Sequence, residues 1–404
     1  MKMLLSLILS FGIAAPARAL EAIGEIRANL DDEELSWQGL RQDDGSAMVQ
    51  VTDIGPLTMI DLHARGDGSI SIGLIFLALV PPAHAFEVEN HISVGPADAR
   101  RVLRVISTGD AEFFEPTLRD FLHDLPDVRI EYTVASSGEM MKALDEEGVD
   151  MDLAISIATD LQTKLVNDGE AQRYSSPTTE RLPAWARWRE HLFAFTQEPA
   201  AVVLSRKALA GLPLPENRQD LIALIRDNPE RFQNKVGTYD IRTSGLGYLY
   251  ATQDARTSET YWRLSEVMGS VGVRLYCCSS QMIDDVASGE LAMVYNVLGS
   301  YAREKSNTDD VLVLLPQDYT VVALRTAFIP RDSKSPELAG LMIDHLISRG
   351  WQAAPGAFSV LETDSWSDDT QALRRIRMGP GLLVYLDAFK KIAFLREWSS
   401  AVLQ

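Results

Sequence analysis

Cysteine is nearly missing from this 404-residue chain: there are two, Cys277 and Cys278, and they are neighbours. Adjacent cysteines cannot staple distant segments, so a disulfide framework is excluded and the hydrophobic core must hold the fold. A vicinal disulfide or a metal-binding pair is open to them, but two small half-buried residues closing an apolar run is the simpler reading. Histidine is also scarce, six residues scattered from His63 to His345. The chain has no G-x-S-x-G, no H-E-x-x-H, no Walker loop and no spaced Cys/His set. Those are the patterns that announce nucleophilic, metal or phosphate-loop chemistry, so the sequence reads as a non-enzyme with no metal or cofactor site. Glu198 stands near a strand, but a general acid/base needs a partner that the pattern does not supply.

Positive charge is short too. Against 57 acidic residues stand 38 basic ones, a formal net charge of −19, which argues against nucleic acid and anionic membrane surfaces as partners. An anionic ligand would have to be met locally, by a few arginines and by backbone dipoles. Long apolar runs are lacking as well: Met3 to Ala15 falls well short of the roughly 20 residues that span a bilayer. With Lys2 before it and Ala17-Arg18-Ala19 after it, this run reads as a signal peptide over residues 1–19, and an exported, acidic, periplasmic protein is expected.

What is present falls into two parts, because the 46% hydrophobic content suffices for more than one core. Residues 20–85 alternate apolar and polar positions between D-G and G-P breaks, which predicts a small antiparallel β-rich module with Asp43 and Asp44 in a turn and His63 structural. Its end, SIGLIFLALVPPAHAF, reads either as the last strand of that module or as a second signal-like core. Residues 86–100 form a linker. From Arg101 strands alternate with helices, and β-α-β-α-β order predicts a parallel sheet covered on both faces. Its first strands end in Thr108, Ser137 and Ser156, hydroxyls that would converge on one cleft at the carboxyl ends of the strands.

The stretch VGTYDIRTSGLGYLYATQD, Val236 to Asp254, reads as a strand, a polar turn and a helix opening at Leu246. Free N–H groups at a helix start, beside Thr243, Ser244 and the small Gly245, form an anion site, and Arg242 adds charge. Ordinary N-capping accounts for the same residues. Trp185 and Trp188 are read as packing an amphipathic helix or loop on the core, a spacing of three that would put both rings on one helical face.

Five stretches together resemble the periplasmic solute-binding proteins of ABC importers, in the two-lobed class of the ferric-iron and phosphoglycerate type. They are DLAISIATDLQTKLVNDG, LPAWARWREHLFAFTQEPAAVVLSRKAL, VGTYDIRTSGLGYLYATQDAR, ELAMVYNVLGSY and PQDYTVVALRTAFIP. The resemblance covers residues 101–404 and implies a type II, α/β fold. Lobe one would comprise about 101–197 and 325–404, lobe two about 200–320, with crossing strands near Phe195 to Leu204 and Tyr319 to Ala327. It further implies solute capture by hinge closure, an ABC permease as partner, a sensor kinase as a second possible partner, and a monomer. Ferric-binding relatives carry two adjacent tyrosines where this chain has Tyr295-Asn296, so a small organic anion is expected rather than iron. The expected site is Thr108, Ser137, Ser156, Thr243, Ser244, Gly245, Tyr295 and Asn296, with Arg325 on the returning strand as a bidentate partner for carboxylate or phosphate.

Overall fold

A computed structural model describes residues 86–305, 310–353, 358–359 and 372–404, preceded by four strands. The signal peptide, the turn at Asp43 and Asp44, and the apolar segment beyond Leu74 lie outside the described residues. Chain contacts divide at Ala85/Phe86 into two units. In the first, β1 (Trp37–Arg41), β2 (Ala47–Val51), β3 (Ile60–Ala64) and β4 (Ile70–Leu74) form an antiparallel meander, the arrangement that the alternating pattern predicts.

The second unit begins with β5 (Asn90–Val94), β6 (Arg101–Ser107), β7 (Val128–Val134) and β8 (Leu153–Ser156). Between and after them run α1 (Ala111–Leu122), α2 (Ser137–Met141) and α3 (Thr159–Asp168). Helical crossovers make β6 parallel to both β7 and β8, while β5 closes the edge antiparallel to β7. Ala111, Phe114, Leu118 and Phe121 recur at helical spacing and bury one stripe of α1. This is lobe one.

After the short β9 (Arg187–Trp188) comes β10 (Leu192–Ser205), buried along its whole length. Lobe two follows as α4 (Arg218–Asp227), β11 (Val236–Tyr239), α5 (Gly245–Thr257), α6 (Thr260–Ser270), β12 (Arg274–Tyr276), α7 (Ser279–Ala287), β13 (Met293–Leu298), α8 (Gly299–Lys305) and β14 (Val311–Leu314). The chain returns through β15 (Thr320–Phe328), antiparallel to β10 from Phe193 against Ala327 to Pro199 against Val322. β10 and β15 are therefore the crossing strands. One half of β10 pairs with lobe-one elements, and its second half pairs with β13 and β14 of lobe two. Then α9 (Pro336–Ala353), β16 (Phe358–Ser359), β17 (Leu373–Arg375), a 3-10 turn at Pro380–Tyr385 and α10 (Ala388–Val402) complete the unit. Among the described residues the strands from β5 onward make one sheet through both lobes.

Four expectations are corrected. Residues 86–100 are not merely a linker, because Asn90–Val94 form β5, paired with β7 along the sheet edge. The C-terminal segment does not stay with lobe one: α9 buries Leu338, Met342 and Leu346 there, but α10 packs Phe394, Trp398 and Val402 into the lobe-two core. Phe394 meets Trp262 and Tyr248 at 5.5 and 5.7 Å, and Gly269 leaves room for the last carbonyls of α10. Trp185 and Trp188 share no helix; the first sits in a 3-10 turn and the second in β9. Cys277 and Cys278 are joined as a vicinal disulfide.

Candidate functional site at the lobe boundary

The strand ends bring lobe-one hydroxyls together as expected. Thr108 Oγ1 donates to Ser156 Oγ (3.2 Å), and Ser156 Oγ also accepts from the Ala158 N–H (3.1 Å). Ser137 opens α2 one residue along from the end of the β7 connection. Across the boundary, the Ser244 side chain caps α5 by accepting from Gly247 N (3.2 Å), while Ser136, not Ser137, caps α2 by accepting from Glu139 N (3.2 Å). Each cap satisfies one N–H of the first turn. The two preceding it, at Ser137 and Gly138 in one lobe and at Gly245 and Leu246 in the other, have no acceptor inside the helix.

Gly245 decides how near these two helix starts come. A Cβ built on it would stand 2.6 Å from Ser137 Cβ, 3.0 Å from Ser137 Oγ and 3.1 Å from Leu161 Cδ1. Only a residue without a side chain permits that approach between lobes. Thr243 is exposed and turns its hydroxyl back to the Asp240 carbonyl (3.4 Å). Arg242, expected to add charge to the turn, is spent on Asp240 through Nε and Nη2 at 2.8 and 2.6 Å.

Arg325 also has a carboxylate partner. Its Nε and Nη2 donate to Glu198 Oε1 at 3.3 and 3.2 Å, both residues being almost fully buried. Burial by itself lowers the guanidinium pKa, but Glu198, with Tyr301 and Tyr132 behind it, raises it above its ordinary value. Glu198 also accepts from the hydroxyls of Ser300 and Thr196. The pair ties the lobes together at the crossing strands: Ser300 belongs to α8 of lobe two, while Arg325 lies over the lobe-one ring of Phe114 at 5.3 Å. Beside it Tyr301 of lobe two stacks on Phe113 of lobe one, ring centroids 4.4 Å apart and 4° from parallel. Glu198, Tyr301 and Phe113 were not among the expected site residues. An acid inside the apolar run of β10 was the one available signal, since a buried charge requires a partner.

Tyr295 and Asn296 are drawn elsewhere. Successive strand residues face opposite ways, yet here a register shift against Ala201/Val203 and a left-handed Asn296 (φ 66°) turn both side chains to Asp254 of α5. Asp254 Oδ2 accepts from Tyr295 Oη at 2.9 Å and from Asn296 Nδ2 at 2.7 Å. Arg218 completes the cluster, donating to Tyr295 Oη (2.6 Å) and to Asp254 Oδ1 (3.2 Å), with its guanidinium 3.5 Å from the Tyr319 ring. Burial pushes the Tyr295 phenol well above its ordinary pKa, so it is a neutral donor to a carboxylate. Tyr295→Phe removes one donor and one acceptor from this network, and a loss of about 1–3 kcal/mol in chemical denaturation is expected.

Solved structures decide the family. A substrate-binding protein of an ABC transporter from Agrobacterium tumefaciens shares 30% sequence identity, covering 78% of this chain and 98% of that one, with a TM-score of 0.73. This chain belongs to the substrate-binding proteins of ABC transporters. The periplasmic binding protein AfuA from Actinobacillus pleuropneumoniae, described with exogenous fructose-6-phosphate bound, shares the fold at 13% identity, covering 75% of this chain and 99% of that one, with a TM-score of 0.61. Iron-bound HitA from Pseudomonas aeruginosa does so at 15%, covering 74% and 96%, with a TM-score of 0.53. No protein-family model and no curated protein matches the chain.

Asp160 is a further titratable group at the lobe boundary of this binding protein. Asp160, in the first turn of α3, is buried, and α3 packs against the Pro380–Tyr385 turn of lobe two. Among the described residues its Oδ1 has no hydrogen-bond partner. Burial pushes its pKa up to about 7, against the opposing pull of first-turn N–H groups and of Lys391. A carboxyl raised above its unfolded value of 3.8 keeps a proton that the unfolded chain releases. Its contribution is therefore most favourable below pH 4 and declines until about pH 7. Between pH 5 and pH 8 the wild type is expected to lose roughly 2–3 kcal/mol relative to Asp160→Asn, at 1.36 kcal/mol per pKa unit. Parallel urea titrations of the two proteins check this, and equal slopes with pH would contradict it.

Proposed function

We propose that this substrate-binding protein captures a small organic anion, a carboxylate or phosphorylated acid, in the periplasm and delivers it to an ABC permease after the lobes close on it. The observation that carries the reading is the meeting of two helix starts across the lobe boundary, at Ser137 and at Gly245. Helix starts attract negative charge through their N–H groups and dipoles, and both are brought together only when the lobes approach. Hydroxyls of Thr108 and Ser156 stand at the same strand ends. Arg325 and Arg242 are paired already with Glu198 and Asp240, so the backbone dipoles carry the recognition of charge.

Ferric iron is the poorer fit. A trivalent ion favours anionic oxygens, whereas the Tyr295 phenol is neutral and held by Asp254 and Arg218. A thermal-shift panel of di- and tricarboxylates, phosphorylated three-carbon acids, sugars, polyamines and ferric citrate tests the proposal. An anion from the first two groups is expected to raise Tm with concentration, with about 2.7 kcal/mol of stabilisation at 100 times Kd. A response to ferric citrate alone, or to sugars or polyamines alone, would overturn it.

A further inference from the structure

The run LRRIRM, residues 373–378, is strongly basic in a chain of net charge −19, and the interlobe site makes no use of it. Arg374 and Arg375 lie on β17, which pairs with the crossing strand β15 from Thr320 to Val322. They line a cavity of about 230 Å³ together with Arg256, Gln253 and Thr257 from the last turns of α5, and Val321 of β15. Three guanidiniums, an amide and a hydroxyl thus surround one space, and among the described residues no carboxylate lines it. A neighbouring space of about 390 Å³ shares Thr257 and Arg374 with it.

The cationic wall is built rather than loose. Arg375 lies 3.8 Å from the ring centre of Trp185 and donates from Nε to Gln197 Oε1 at 2.7 Å, so its guanidinium is fixed between lobe one and the hinge. Burial, and after it the nearby charge of Arg377, push the Arg375 pKa down. Arg256 is steadied by the Gly381 carbonyl (3.4 Å). Gly245 and Arg256 sit at opposite ends of α5, roughly 16 Å apart at 1.5 Å per residue. The two sites are separate.

We propose that Arg256, Arg374 and Arg375 form a second oxyanion site at the hinge, outside the interlobe cleft, for a small multiply charged anion bearing phosphate or carboxylate groups. Guanidinium forks match the paired oxygens of either group. Ligand held there bridges α5 of lobe two and the strand that runs along the hinge.

Isothermal titration of the full chain with pyrophosphate and, separately, with citrate tests this at low salt. At least one of the two is expected to bind saturably and to weaken severalfold as sodium chloride rises from about 0.05 to 0.5 M, where the Debye length shortens from about 14 to 4 Å. Arg256→Gln with Arg374→Gln, both at exposed side chains, should weaken that binding at least tenfold. Arg256→Gln alone should weaken it about threefold or more, which covers a failure of the double variant to fold. Gly245→Ala, which perturbs only the interlobe cleft, should leave the arginine-dependent component of that binding unchanged. The two anions distinguish phosphate from carboxylate preference. No saturable binding of either anion, undiminished binding in the arginine variants, or loss of the arginine-dependent component in Gly245→Ala would each overturn the proposal. The last result would instead assign the anion to the interlobe cleft.

Discussion

Gly245→Ala is expected to weaken solute binding by roughly 5- to 150-fold while leaving the unliganded protein as stable as the wild type or slightly more so. The two effects have different origins. Alanine at the first position of α5 is a better helix former than glycine by about 0.5–1 kcal/mol, and with the lobes apart its methyl group would meet nothing from lobe one. With the lobes as near as they stand in this structure, that methyl would come 2.6 Å from Ser137 Cβ, whereas carbon atoms pack at about 3.5–4.0 Å. Forcing an extra methyl into a packed contact costs about 1–3 kcal/mol, and that range is the stated loss in affinity. Ser137→Gly removes the opposing Cβ, so the double variant should recover most of the binding, leaving only the flexible tip of Leu161 to move. Calorimetry with the solute returned by the panel measures the affinity; small-angle scattering with and without it reports closure. An unchanged Kd in Gly245→Ala would show that the helix starts do not meet in the bound form.

The sequence allowed the α/β order, the crossing strands and the strand-end hydroxyls to be read because each depends on residues close together in the chain. Thr108, Ser156, Ser244 and Gly245 stand where a strand hands over to a helix, and that handover is visible in local periodicity. The fate of Tyr295 and Asn296 was not legible. It depends on a bulge opposite Ala201/Val203 and on two partners, Asp254 and Arg218, that lie 41 and 77 residues from Tyr295. The charge of Arg325 was likewise visible, but its consumption by Glu198, 127 residues away, was not. Helix α10 misled for a related reason. Phe394, Trp398 and Val402 make an apolar face that fits either lobe by pattern, and the gap over Gly269 that selects lobe two exists only once α6 is packed.

Glu198→Leu is expected to lower stability by about 3–5 kcal/mol, because it leaves the Arg325 guanidinium buried without its counter-charge. At roughly 2–3 °C per kcal/mol for a large domain, Tm should fall by about 6–15 °C. Glu198→Leu with Arg325→Met removes both charges from a site that the chain already shields from water, and replacing a whole buried pair by apolar residues is often neutral or stabilising. Most of the lost stability should therefore return, short of the amount set by Ser300 and Thr196, whose hydroxyls lose their acceptor. The same double variant separates two roles for Arg325. If the pair only braces the crossing strands, its solute affinity should stay within about threefold of the wild type, and this is the expected result because both donor nitrogens observed on Arg325 are directed at Glu198. A stable double variant that had lost tenfold or more in affinity would put the guanidinium on the solute. It would mean that Glu198 holds Arg325 in waiting and yields it when an anion enters.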